Sequence, residues 1–337
     1  MRIGVMGVHY GHFGAMLQSA VKAPDGELVG IVESADELYE QYGASNRIAR
    51  YDSLREMIEV AKPDLILEGV THAEKTALVE TCADAGVHVL LDKPLCRTMD
   101  EFRRIKKAVF EKGIQLSMWY TSRSYPPFIA LRERIQGGEL GDIVSLITTH
   151  PHKMSDQMPC WYFDSDLYSG TFVDLAGHGV DQIQWVTGAI FEGVHALGTL
   201  MKHTAGPRRL EMDHVQASFK MSNGALASVT ADWLTPQRSP SFGDTRFIVM
   251  GTKGSAHLRA YASDQLLIVT DSRAAYEPEM PMDSSGPFIQ NMIETLSRGE
   301  EHFISTTEVL AAARASLIAQ ESARRGGEFL TIDAGEI

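Results

Sequence analysis

The sequence predicts an α/β protein in two parts: a doubly wound parallel sheet over residues 1–121, then an α+β region over 122–337 with a large, mostly antiparallel sheet. Two observations predict it. Up to Tyr120, short apolar runs alternate with helical segments, the order that builds a parallel sheet. Beyond Tyr120 apolar runs follow one another with few helices between them, which suits antiparallel pairing. The 337 residues suffice for two buried cores.

Composition narrows the function classes. Hydrophobic content of 44% and charged content of 22% are those of a soluble globular protein. A formal net charge of −13 argues against non-specific nucleic-acid binding, which needs a basic face. No segment approaches the roughly 18 continuous apolar residues of a membrane span, and the N-terminus enters a strand without a signal-peptide layout. Cys82, Cys96 and Cys160 are too widely spaced for a CxxC site, and their odd number fits a reducing, cytoplasmic setting.

In chain order, the apolar run Arg2 to Met6 ends in Gly7-Val8-His9-Tyr10-Gly11-His12-Phe13-Gly14, and a helix follows. Strand, glycine turn and helix together present backbone N–H groups and a helix N-terminus to a phosphate. The strict GxGxxG spacing is absent, because His9 and His12 stand where its second and third glycines belong. The next strand, Glu27 to Val32, leads to Glu33, about 20 residues past the turn, where a dinucleotide fold places an acid for the adenosine ribose. An acid there favours NAD over NADP, although Ser34 beside it tolerates some NADP; the same acid also suits a helix cap. Ile48–Arg50, Asp64–Leu67, Val87–Leu91 and Ile114–Trp119 are the further strands, six in all. Helices are expected over Leu54–Ala61, Glu74–Ala85 and Asp100–Glu111. Ligands of such sheets bind at the carboxyl ends of the strands, where Glu33 and Lys93 stand.

In the second part, Phe128–Gln136 reads as a helix closed by Gly137-Gly138, and Ile143–Thr149 as a strand. A polar, aromatic loop over 151–169 leads to a stretch that, if helical, sets Asp174 and His178 four residues apart on one face. A carboxylate beside an imidazole can orient the ring and tune a proton-transfer group. Strands follow at Gln216–Met221, Ala225–Ala231, Phe247–Met250, Gly254–Leu258 and Leu266–Val269, then helices at Pro287–Arg298 and Thr307–Arg325, the C-terminal helix packing back on the first domain. His150 and His152 form an H-x-H pair without an assigned third ligand, so no metal site is expected.

The chain resembles the Gfo/Idh/MocA oxidoreductases, which join an N-terminal Rossmann domain to a C-terminal α/β domain. The marks are Asp92-Lys93-Pro94-Leu95, Tyr120-Thr121-Ser122-Arg123, the turn Gly138 to Ile143, the run Gly170, Asp174, His178 and Asp181 in the family's signature spacing, and the tail segments Gly299-Glu300-Glu301 and Ser305 to Glu308. The resemblance implies an NAD(P)-dependent dehydrogenase that transfers hydride between nicotinamide and a secondary alcohol of a sugar, cyclitol or related polyol. It implies that Lys93 reaches cofactor and substrate, that Asp174 orients the reacting groups and that His178 is the general acid/base. Lys93 can also depress the pKa of His178 or accept its proton. The cofactor residues expected are Gly7, Val8, His9, Tyr10, Gly11, His12, Glu33, Val70, His72, Asp92 and Lys93, with NAD preferred. Arg123, Tyr125 and Trp161 are expected to line the polyol pocket, by bidentate hydrogen bonding and by stacking. A homodimer or homotetramer is expected, since a one-sided sheet must cover its apolar face.

Two cofactor loops depart from the family pattern. The glycine turn is one residue shorter than usual, and the segment Glu68-Gly69-Val70-Thr71-His72-Ala73-Glu74 lacks about three residues after the strand, keeping only the second of the family's two histidines. Shorter loops imply an altered hold on the dinucleotide, or weak or lost binding. Two alternatives to a dehydrogenase therefore stay open: a redox-neutral lyase or hydrolase using tightly bound NAD transiently, and a non-catalytic sugar- or dinucleotide-binding sensor.

Overall fold

The structure, a computed structural model, describes residues 1–9, 12–282, 288–333 and 335. The chain forms two compact units. The first comprises Met1–Tyr120 and Ser284–Leu310; the second comprises Thr121–Asp283 and Ala311–Ile337.

In the first unit the elements run β1 (Arg2–Met6), α1 (Phe13–Val21), β2 (Glu27–Val32), the single turn α2 (Asp36–Leu38), α3 (Leu54–Ala61), β3 (Leu65–Glu68), α4 (Lys75–Ala85), β4 (His88–Leu91), α5 (Met99–Lys112) and β5 (Leu116–Met118). All five strands are parallel, in the order β2-β1-β3-β4-β5. Every residue of β3 is buried, as a central parallel strand requires. Capping defines several helix starts: the Ser53 and Thr98 hydroxyls accept from the N–H groups of Glu56 and Glu101. The sheet has five strands rather than the six expected. Ile48–Arg50 makes a single bridge, Ile31 to Arg50, because Arg47 turns the backbone to φ 58° and the Arg50 side chain bonds the carbonyls of Glu33 and Ser34.

The second unit opens with α6 (Pro126–Gln136) and β6 (Ile143–Pro151), and continues through α7 (Thr171–Leu175), α8 (Gly177–Thr187), β7 (Phe191–Thr199), β8 (His214–Met221), β9 (Leu226–Asp232), β10 (Thr245–Gly251), β11 (Gly254–Ala260), β12 (Gln265–Thr270) and β13 (Arg273–Tyr276). After these come α9 (Phe288–Ser297), α10 (Thr306–Arg324) and β14 (Leu330–Thr331). The nine strands are ordered β13-β12-β11-β10-β6-β9-β8-β7-β14, antiparallel throughout except at β6 and β9. β7, β13 and β14 lie beyond the sequence expectation. Inward residues alternate along the strands: Val215, Ala217, Phe219 and Met221 on β8 are buried, whereas Gln216, Ser218 and Lys220 face out. Helices α6, α7 and α8 cover the buried face, with Phe172 packed on Phe219 and Phe128 edge-on to Phe247.

The segment over 284–310 clusters with the first unit. There the Ile289 N–H meets Ser19, the Leu116 N–H donates to Thr306 Oγ1, and the Ser117 hydroxyl donates to the Ile304 carbonyl. Helix α9 and the first turn of α10 thus belong with the parallel sheet, and the rest of α10 with the antiparallel one. The proline at 287 in the expected α9 lies outside the described residues. Among the described residues no helix is long and apolar enough to cross a membrane.

Candidate active site

The cofactor half is built where β1, β2, β3 and β4 end. Gly7 follows β1 at φ 70°, a left-handed conformation, and a Cβ there would meet Val70 at 2.6 Å, so glycine is needed for both reasons. The His9 N–H donates to the Gly69 carbonyl at 2.7 Å, lacing the glycine turn to the short loop after β3. Tyr10 and Gly11 lie outside the described residues. Helix α1 follows with His12 as its N-cap residue and no acidic residue in its own first turn. The Gly7, Val8 and His9 N–H groups are taken by the Val32 carbonyl, the Glu33 carboxylate and the Gly69 carbonyl, so among the described residues of this turn the N-terminus of α1 is the part that suits a pyrophosphate.

Glu33 takes a different posture from an open ribose acceptor. Its side chain is 0% exposed, and its carboxylate accepts the N–H groups of Val8 (3.1 Å) and Ala35 (2.8 Å), with His9 Nε2 at 3.5 Å. The acid ties the glycine turn to Ala35, the residue before α2, without capping that helix, and His9 stands beside it on the solvent side.

Lys93 and Asp92 follow β4 and both are buried. Asp92 Oδ1 accepts the Lys93 N–H at 2.8 Å and faces His12 Nδ1 at 3.4 Å. Val70 and His72 are buried beside the neighbouring strand end. Beneath them lies a pair absent from the sequence expectation: Lys75 Nζ contacts Glu68 Oε2 at 2.9 Å, and both side chains are 0% exposed. The sequence signal was a carboxylate closing an otherwise apolar strand.

In the second unit, the Asp174 to His178 stretch is not one continuous helix. Helix α7 ends at Leu175 and α8 begins at Gly177, with Ala176 between them. Weak helix propensity at Gly177 and Gly179 accounts for the interruption. Gly179 is required for another reason, since a Cβ there would lie 2.3 Å from His150 Nε2. Asp174 is fully buried and its Oδ2 accepts the Tyr168 hydroxyl at 2.9 Å, while Trp233 Nε1 donates to the same hydroxyl at 3.1 Å. Burial, reinforced by the Asp174 charge, drives the Tyr168 phenol well above its ordinary pKa, so it remains a donor. His178 is half-buried. Tyr168 and Trp233 were missed in the sequence, because only the fold brings β9 and the 151–169 loop to Asp174.

The expected substrate residues are placed apart in role. Arg123 is buried and held by Asp181 at 2.6 and 3.0 Å, so the guanidinium edge suited to bidentate recognition is engaged within the protein. The Tyr125 hydroxyl donates to Asp264 and its ring stacks on Tyr261 at 4.8 Å. Trp161 stacks on Tyr162 with centroids 4.1 Å apart, in an aromatic cluster that includes Tyr168. His150 Nε2 pairs with Thr148 Oγ1, and His152 packs edge-on to Trp233. Among the described residues no group of three or more His, Cys, Asp or Glu side chains is placed to hold a metal. A cavity of about 490 Å³ bordered by Tyr168, Arg209, Glu211 and Arg324 carries none of Lys93, Asp174 or His178 in its wall.

Comparison with known proteins agrees with this architecture. The model of an oxidoreductase family with an NAD-binding Rossmann fold, Gfo/Idh/MocA, matches residues 1–120, and the model of the Gfo/Idh/MocA C-terminal domain matches 128–257. The 1,5-anhydro-D-fructose reductase of Ensifer adhaerens is 25% identical over 283 residues, covering 82% of this chain and 80% of that protein. The myo-inositol 2-dehydrogenase of Thermotoga maritima is 24% identical over 260 residues, covering 75% and 74%. Levoglucosan dehydrogenase, solved in complex with NADH and L-sorbose, shares the fold with a TM-score of 0.86 over the whole of both chains at 19% identity. A parallel nucleotide-binding sheet and an antiparallel sheet, each matched by its own family model and in the same order, make this chain a member of the Gfo/Idh/MocA oxidoreductase family.

Proposed function

We propose that the protein is an NAD(P)-dependent dehydrogenase acting on a secondary alcohol of a sugar, cyclitol or related polyol, with NAD preferred. The reading is carried by one observation: the strand-end Lys93 and the Asp174/His178 segment stand in the family's signature order within a single chain. Named activities of the relatives on an anhydro-sugar and an inositol support the substrate class. The dinucleotide, when bound, supplies the hydride acceptor. His178 takes the hydroxyl proton, the Lys93 ammonium favours the developing alkoxide, and Asp174, held by Tyr168, orients the reacting groups.

The preference for NAD rests on Glu33, whose charge disfavours a 2′-phosphate even though its oxygens are tied to backbone N–H groups. A cytoplasmic setting is supported by three free thiols, two of them buried. The outer face of the nine-stranded sheet is proposed as the surface that joins subunits into a homodimer or homotetramer.

The test is turnover by His178→Asn and Lys93→Met. Each is expected to lose about 10² to 10⁴ in kcat, while dinucleotide affinity, measured by calorimetry, stays near wild type in His178→Asn and weakens in Lys93→Met. Wild-type turnover in either variant refutes its role. The short loop after β3 favours a second reading, a sensor without catalysis, which predicts no absorbance change at 340 nm with any polyol. Product formed without net NADH points instead to the redox-neutral cycle.

A further inference from the structure

Helix α4 begins with a lysine in an unexpected place. Lys75 occupies the first helical position, where the helix dipole disfavours a cation, and the first turn carries no acid to offset it. Its side chain is wholly buried, and so is that of its ion-pair partner Glu68, which closes an otherwise apolar strand. Two buried charges of this kind contribute little to stability compared with apolar side chains of similar volume. The contacts they make suggest a different use. Lys75 Nζ donates to the Asp92 carbonyl at 2.6 Å, the peptide oxygen directly before Lys93. Glu68 Oε1 accepts the Val70 N–H at 2.6 Å, in the loop that leads from β3 to α4. One ammonium group therefore joins the ends of two neighbouring strands, and with them the Lys93 turn and the Val70–His72 loop.

We propose that Lys75 and Glu68 are positioning residues, a buried clamp that sets Lys93 through the Asp92 carbonyl and holds the Val70–His72 loop through the Val70 amide. Asp92 extends it, since its Oδ1 takes the Lys93 N–H and faces His12 on the glycine turn. Burial pushes the Glu68 carboxyl up to about 7, ahead of the opposing pull of Lys75, consistent with a pair kept dry despite its cost. The catalytic part of the inference rests on the assignment of Lys93 to the reaction centre; the clamp itself does not.

The test replaces both charges together, so that neither is left buried alone: Glu68→Leu/Lys75→Leu, with Glu68→Gln/Lys75→Met as the near-isosteric second variant. Both are expected to keep the far-UV spectrum and a thermal midpoint close to wild type. Amide exchange at Val70, Thr71, Lys93 and Leu95, followed by mass spectrometry, is expected to speed up at least about tenfold, with the α1 and α5 amides unchanged. Turnover is expected to fall about 10- to 100-fold, more in kcat than in the KM for the polyol. Unchanged exchange in a folded variant overturns the clamp whatever the activity. Faster exchange with wild-type kcat overturns its role in setting Lys93. A wild-type protein inactive on every polyol with NAD and NADP removes the dehydrogenase reading, and the exchange measurement still decides the clamp.

Discussion

Tyr168 donates a buried hydrogen bond to Asp174. The carboxylate has no exposure to water, and one of its oxygens is met by a phenol that is itself held by Trp233 Nε1. A buried carboxylate deprived of a donor bears a desolvation cost of about 1–3 kcal/mol. Tyr168→Phe is therefore expected to lower stability by that order and to cut kcat about tenfold, with the polyol KM little changed. Denaturant melts and steady-state kinetics check both, and a wild-type kcat sinks the orienting role of Asp174. At the same scale Arg123, expected to meet the polyol, also has a partner within the protein. A planar guanidinium suits a polyol, yet here it spans to Asp181 and fastens α8 to the segment before α6.

Among the elements, the nine-stranded sheet raises the clearest question. One face is covered by α6, α7 and α8. The other carries Ile147 and Ile248, which lie opposite each other, beside Met250, Leu267 and Val269, with Arg246, His257 and Arg259 among them. Met250, Leu267 and Val269 are large apolar side chains left exposed in the single chain. This is the face proposed above to join subunits, since a sheet covered by helices on one side has to cover apolar side chains on the other. Ile248→Glu, at the centre of the face, is expected to shift the protein to a monomer in multi-angle light scattering at micromolar concentration without unfolding it. A wild-type protein that is already monomeric there contradicts the interface. The α7 to α8 stretch carries a related lesson: the spacing of Asp174 and His178 suggested one helix face, but close packing of Gly179 on His150 and the break at Ala176 set the actual path.

For the molecule as a whole, Glu68 links charge to stability. It keeps its proton up to about 7 against an ordinary 4.5, because burial outweighs Lys75 while Asp92 adds in the same direction. Between those values the folded chain holds a proton that the unfolded chain has released. The contribution is thus whole below 4.5 and is lost as pH rises toward 7. The thermal midpoint is expected to fall more steeply between about pH 5 and about pH 7.5 in wild type than in Glu68→Gln/Lys75→Met. Equal slopes contradict a carboxyl that titrates late.

The sequence by itself determined the fold class and most of the elements, because periodicity and turn residues are local: apolar runs alternating with helices define the parallel sheet, and successive runs the antiparallel one. It also determined the family, through short motifs whose residues are near neighbours in the chain. The fold alone decided what depends on distant residues. Thr306 meets Leu116, Trp233 meets Tyr168, and Lys75 reaches over to Asp92. A strand at 48–50 failed for a comparable reason, since Arg50 is drawn into bonds with Glu33, Ser34 and Asp36. Glu33 was visible as an acid in the right place, but the amides that enclose its carboxylate come from the glycine turn and from Ala35. Pattern records which side chains are available; burial and hydrogen bonding across the fold decide which remain free to act, because a buried polar group must find its partner wherever the chain returns.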